Sequence, residues 1–352
     1  MQIKRIALGG IIMTVIMFSG CSTTVQNLAI GEEKTLETGK TEQESVTEKD
    51  INMNEKESFN AESNINDVIH DSAFDDYGRL IFPVDMEIED NLKLKDVSSI
   101  LPWYSEVNTD KTVEIVNYMK NQAMNGEQIF YPIYSEKEMQ ADADKKDTGL
   151  FFFRGNAGAK TTIINAGGGF VYVAGIHDSF PHALELSKKG YNAFALIYRP
   201  GAQTACEDLA RAIAFLHENA EQLQIDMTDY SLWGGSAGAR MAAWLGSYGT
   251  AYFGEKDYPA PAAVIMQYTG LSQVTGMEPP IYACVGTSDG IASYRSMESY
   301  ISQIQQNGTN TKIEVFKGLS HGFGLGEGTV AEGWIDHAVS FWEENMSASY
   351  KR

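Results

Sequence analysis

One short string carries the clearest chemistry in this 352-residue chain, Gly234-Gly235-Ser236-Ala237-Gly238. A serine hydroxyl is a weak nucleophile until a neighbouring base removes its proton. The apolar run Tyr230 to Trp233 precedes the string, and a helical pattern with Met241, Trp244 and Leu245 follows it. Strand, sharp turn and helix in that order lift a serine above a sheet and set it at a helix N-terminus. Small residues must flank it, because a side chain at Gly234 or Gly238 would meet the adjoining strand or helix. The spacing predicts Ser236 as the nucleophile of an acyl transfer. A glycine-rich helix start that holds phosphate is the competing reading.

A second string, Asn165-Ala166-Gly167-Gly168-Gly169-Phe170, follows the apolar run that begins at Thr161. Three glycines let the backbone turn its N–H groups towards a nucleophile. The string resembles the HGGG loop of esterases and lipases, with Ala166 in the histidine position. That resemblance implies Gly168 and Gly169 as donors to an oxyanion, with the N–H of Ala237 as a further donor.

The serine needs a base, and the base needs an orienting acid. His70 falls at the edge of a polar N-terminal segment, His217 and His337 lie on helical patterns as solvent-facing residues, and His177 and His182 follow the glycine loop. His321 sits in Leu319-Ser320-His321-Gly322-Phe323-Gly324, after an apolar run that ends at Phe316. Asp289 sits in Val285-Gly286-Thr287-Ser288-Asp289-Gly290, after the run Ile281 to Val285. Asp226 and Asp257 are its rivals, and neither follows that run. In the α/β-hydrolases, which these strings resemble, the base follows the last strand and the acid the penultimate one. The resemblance therefore implies His321 as base and Asp289 as orienter, in the chain order serine, acid, histidine.

These residues need a scaffold, and the chain supplies a regular one. Gln128 to Tyr134 and Leu150 to Arg154 read as an antiparallel pair. Apolar runs then recur at Thr161 to Asn165, Ala193 to Tyr198, Tyr230 to Trp233, Ala262 to Tyr268, Ile281 to Val285 and Lys312 to Phe316. Most are followed by helical patterns, among them Glu207 to Ala220 and Val330 to Trp342, the latter with Val330, Trp334, Ala338 and Phe341 on one face. Continuous apolar strands alternating with helices predict a mostly parallel central sheet covered on both faces. From about 128 to 345 the chain resembles the carbohydrate-esterase-like branch of the α/β-hydrolases, near bacterial acetyl xylan and feruloyl esterases. The matching pieces are Ala166 to Phe170, Lys189-Gly190-Tyr191-Asn192, Cys206 to Ala212, the serine string and Ser320 to Gly324. Met266-Gln267-Tyr268-Thr269-Gly270 departs from that pattern, where relatives often carry Tyr-Pro.

The resemblance implies the α/β-hydrolase fold and a serine esterase of short acyl esters on a small molecule or oligosaccharide. A serine peptidase or lipase of the same fold, or a surface lipoprotein that only binds, are the alternatives. Too few residues precede the domain for a peptidase's propeller, and no long apolar lid lies between the runs at Ala262 and Ile281. Tyr172, His177, His182 and Tyr198-Arg199 lie near enough to the loops to line a pocket, as packing or rim, with Tyr172 and Phe323 as candidate walls. No His, Cys, Asp or Glu cluster has metal-ligand spacing, so neither metal nor cofactor is expected.

The N-terminus reads as targeting. Lys4 and Arg5 precede an apolar run, Ile6 to Phe18, and Phe18-Ser19-Gly20-Cys21 follows. The string resembles the lipobox of bacterial lipoproteins, which implies acylation of Cys21, export and attachment to a membrane from outside the cytoplasm. The expected division is a signal peptide over 1–20, a lipidated, flexible acidic tether over 21–70, an N-terminal extension or cap over 71–126, and the catalytic domain over 127–346. Formal net charge is −20, which argues against nucleic acid, since phosphate binding needs a basic face. Three cysteines imply no disulfide framework, and Cys206 and Cys284 read as free thiols.

Overall fold

The computed structural model describes residues 58–347, so the expected signal peptide, Cys21 and the tether as far as residue 57 lie outside them. The apolar runs fold as strands: β1 Phe130–Pro132, β2 Gly149–Phe153, β3 Lys160–Asn165, β4 Asn192–Ile197, β5 Asp226–Gly235, β6 Ala263–Gln267, β7 Ile281–Gly286 and β8 Thr311–Phe316. Among the described residues they form one sheet in the order β1-β2-β4-β3-β5-β6-β7-β8. β1 pairs antiparallel with β2, and β2 with β4. The pairs from β4 through β3 to β8 are parallel. Every residue of β2, β3, β4, β6 and β7 is buried, as continuous apolar runs between two helical layers require. The outermost strand β8 is half-exposed and carries Lys312 and Glu314, charges that blunt an open edge. Pro132 sits on the other edge strand, where a missing N–H costs no ladder bond.

The N-terminal boundary differs from the expected one. Residues 58–70 are part of the folded body: Asn64 caps the short helix Ile65–Ile69, and Ile65 and Val68 are fully buried. The N–H of Ile65 donates to the carbonyl of Leu92, so this turn is held by a distant segment. Within the expected extension, Phe74, Ile81, Leu94, Val97, Ile100 and Leu101 join the same hydrophobic core as the sheet. Tyr77 stacks on Phe130 of β1, and Tyr118 of the helix Thr109–Met124 stacks on Phe153 of β2. This segment therefore shares the core of the sheet and is no separate cap.

Two further readings change. The last helix begins at Trp334, after Gly333 in a left-handed conformation, so Val330 lies outside it and is 65% exposed. His217 is half-buried, stacked on Tyr258 and edge-on to Tyr230, whereas His337 is exposed as expected. Cys206 and Cys284 are buried free thiols.

Candidate active site

β5 ends at Gly235, Ser236 follows with φ 50° and ψ −114°, and the helix Ala237–Tyr248 begins immediately. That left-handed backbone is strained for a residue with a Cβ, and strain of this kind persists where its surroundings over-determine it. Here they do. A Cβ at Gly234 would lie 2.3 Å from the carbonyl carbon of Gly238, and one at Gly238 would lie 1.9 Å from the carbonyl oxygen of Asn165. The turn fits only because both positions are bare.

The loops after β7 and β8 bring the other two groups to the serine. His321 Nε2 is 3.1 Å from Ser236 Oγ, and His321 Nδ1 is 2.8 Å from Asp289 Oδ2. Asp289 Oδ1 accepts from the backbone N–H groups of Ile291 and Ala292, at 2.8 and 2.7 Å, which fixes the carboxylate. With Nδ1–H donating to Asp289, Nε2 is left to accept the serine proton. The three sequence-derived residues thus form one chain of hydrogen bonds, and Asp226 and Asp257 take no part in it.

Ser236 and His321 open on a cavity of about 190 Å³, lined also by Gly169, Phe170, Ala237, Arg240, Tyr268, Thr269, Gly270, Ile291 and Ala292. Of the three expected oxyanion donors, Gly169 and Ala237 stand on its wall. Gly168 stands behind it, its carbonyl accepting from the N–H groups of Val171 and Tyr172. Tyr172 and Phe323, the expected walls, are buried away from the cavity. Tyr172 stacks on Trp103, and Phe323 backs Tyr268. Tyr198, Arg199, His177 and His182 are supports and not lining. Tyr198 donates to the carbonyl of Ala166, and Arg199 pairs with the buried Asp208. Burial lowers His177 to about 4 and His182 to about 3, so both are neutral near pH 7. A neutral His177 donates from Nε2 to the carbonyl of Gly322, beside His321.

Two residues that the motifs do not mark complete the floor. Asp178 is 1% exposed and lies directly beneath Gly235. Its Oδ2 accepts from the N–H of Gly167 at 2.6 Å and from the hydroxyl of Tyr104 at 3.0 Å, and its Oδ1 accepts from the hydroxyl of Tyr268. Tyr268 packs edge-on against His321. One carboxyl thus ties the glycine loop, the N-terminal segment and a neighbour of the histidine together. Tyr268, in the stretch Met266 to Gly270, thus supplies a support for the site.

Burial is the largest influence on Asp178 and pushes its carboxyl up to about 6, against the three donors that lower it. The folded chain therefore holds this proton more tightly than the unfolded chain, whose carboxyl titrates near 3.8. Stability from this group is complete below about pH 4 and is lost as the pH rises through about 6, by about 3 kcal/mol in all. Asp178→Asn mimics the protonated form. The stability difference between wild type and this variant should fall by that amount across the interval, read from urea unfolding at stepped pH. A pH-independent difference would mean that the carboxyl titrates alike in both states.

The comparisons place this geometry among known folds. A family model described as BD-FAE matches residues 154–279, just over a third of the chain. No curated protein matches the sequence. Among solved structures, an acetyl ester-xyloside bifunctional hydrolase from Caldicellulosiruptor lactoaceticus superposes with a TM-score of 0.54 at 19% identity, covering 61% of this chain and 95% of its own. Esterase 2 of Thermogutta terrifontis superposes with a TM-score of 0.52 at 17% identity, covering 62% and 95%. An esterase from the same organism, solved with propionate bound, gives 0.53 at 20% identity, covering 61% and 93%. The fold is the α/β-hydrolase fold. At these identities the likeness establishes architecture, and the chemistry is argued from this chain's own residues.

Proposed function

We propose that this protein is a serine esterase that removes short acyl groups, with a carbohydrate as the leaving alcohol. The observation that carries the reading is the unbroken chain Ser236–His321–Asp289 at the mouth of a cavity. Ser236 Oγ attacks the ester carbonyl as His321 Nε2 takes its proton. The imidazolium, held by Asp289, returns that proton to the departing alcohol. Water then adds to the acyl-enzyme by the same route, and the serine is regenerated. The backbone N–H groups of Gly169 and Ala237, residues that line the cavity, are the proposed oxyanion donors.

The preference for short acyl groups rests on the cavity size. An engineered apolar cavity of roughly 150 Å³ accommodates benzene, so about 190 Å³ suits acetyl to butyryl better than a long chain. The solved relatives named for an acetyl ester and for bound propionate support the same range. The expected result is that kcat/KM falls roughly tenfold or more from butyryl to octanoyl esters of one chromogenic alcohol. Acetylated xylo-oligosaccharides should also be turned over. A clear octanoyl preference points to a lipase, and turnover of peptides without esters points to a peptidase.

We further propose that Cys21 is acylated and that the enzyme works outside the cytoplasm, on the evidence of the string Phe18-Ser19-Gly20-Cys21. Cys21→Ala should release the protein from the membrane fraction or block its maturation. Unchanged membrane association with normal maturation would refute the lipid anchor.

A further inference from the structure

The cavity at Ser236 has a cationic wall. Arg240 lies one turn along the helix from Ser236 and lines the cavity with Phe170, Thr269 and Ile291. Its guanidinium is half-buried, and Nη2 donates to the carbonyl of Gly270 at a long 3.3 Å. A guanidinium has five N–H donors in a planar fork, and among the described residues no carboxylate meets this one. The other half-buried arginines are treated differently: Arg154 pairs with Glu127, Arg199 with Asp208, and Arg211 with Glu218 and Glu255. None of the acidic side chains among the described residues is set against Arg240. Beside it, Thr269 is 2% exposed, and its hydroxyl has no hydrogen-bond partner among the described residues. Buried polar groups are normally paired, and a desolvated cation without a countercharge is costly. Both residues line the space that a substrate enters.

We propose that Arg240 binds a carboxylate of the substrate, so that the enzyme prefers esters bearing a negative charge close to the scissile bond. The inference builds on the esterase reading above. An arginine fork matches a carboxylate with two parallel hydrogen bonds. Two chemical sources fit, a half-ester of a dicarboxylic acid and an acyl ester of an acidic alcohol such as a uronic acid.

The test uses the full chain and two matched pairs. The acyl arm compares the 4-nitrophenyl half-ester of glutarate with 4-nitrophenyl pentanoate, each corrected for spontaneous hydrolysis. The alcohol arm compares 4-acetoxybenzoate with 4-acetoxybenzamide. In one arm the charged ester should be favoured in kcat/KM by roughly tenfold or more. That ratio should collapse in Arg240→Gln, survive in part in Arg240→Lys, and shrink with added salt in the wild type. A wild-type preference for the neutral ester in both arms, or an unchanged ratio in Arg240→Gln, overturns the proposal. Binding of glutarate and of benzoate to Ser236→Ala provides a readout without turnover. The carboxylate of the favoured arm should bind roughly tenfold more weakly when Arg240→Gln is added, and equal binding overturns the proposal. Turnover without charge preference removes this inference alone. Failure to turn over any ester removes the esterase reading instead.

Discussion

Replacing Ser236 with alanine should lower ester turnover by at least about 10,000-fold while leaving the melting temperature near the wild-type value. In the proposed mechanism the hydroxyl is the attacking group, and its Oγ is 3.1 Å from His321 Nε2. The Cβ stays, so the strained backbone at φ 50° is neither relieved nor worsened. His321→Ala should cost a similar factor, and the double variant little more than either alone, because nucleophile and base act as one unit. Asp289→Asn should also be severe. An amide that donates to Nδ1 stabilises the tautomer whose Nε2 carries a proton and cannot accept the serine's. A fluorophosphonate probe checks the assignment directly: it should modify the wild type once and Ser236→Ala not at all. Labelling that persists in that variant would place the nucleophile elsewhere.

Gly238→Ala should do nearly as much damage by a different route. The added Cβ would sit 1.9 Å from the Asn165 carbonyl oxygen and 2.6 Å from that of Ala166. Those atoms are backbone at the end of β3 and the start of the glycine loop, so no side-chain rotation relieves the contact. Either the helix Ala237–Tyr248 moves, carrying Ser236 with it, or the glycine loop retreats. A stability loss of about 3 kcal/mol or more follows from overpacking of this severity. Any folded fraction should lose on the order of 100-fold in kcat as an oxyanion donor is displaced. Thermal unfolding and kcat measured on the same preparation check both parts. Wild-type values of both would mean that the two backbone segments separate freely.

The juxtaposition of Ser236, His321 and Asp289 is legible because each sits in a local string at the end of an apolar run. Ser236 follows β5, Asp289 follows β7 and His321 follows β8, so the loops inherit their places from the sheet. Asp178 and Tyr104 were not legible for the opposite reason. Their hydrogen bond joins residues 74 apart, and neither lies in a motif. The tether's end was misplaced because Ile65 and Val68 are isolated apolar residues in a polar stretch. Only their burial against distant partners makes them structural. Val330 was misread because the helical spacing of the last helix extends past Gly333, where the backbone turns left-handed and the helix starts.

The strap from Trp103 to Ser105 has a consequence for the order in which the molecule is made. Ser105 donates from its hydroxyl and its N–H to the carbonyl of His321, across 216 residues of chain. Tyr104 waits in the same way for Asp178. These residues are translated well before the loop that holds His321. Contacts of such separation meet their loop-closure cost late, and they slow folding. The parallel sheet can assemble strand by strand, but the backing of His321 forms only when segments 216 residues apart meet. The arrangement around His321 therefore depends on long-range closure in a way that the strands themselves do not.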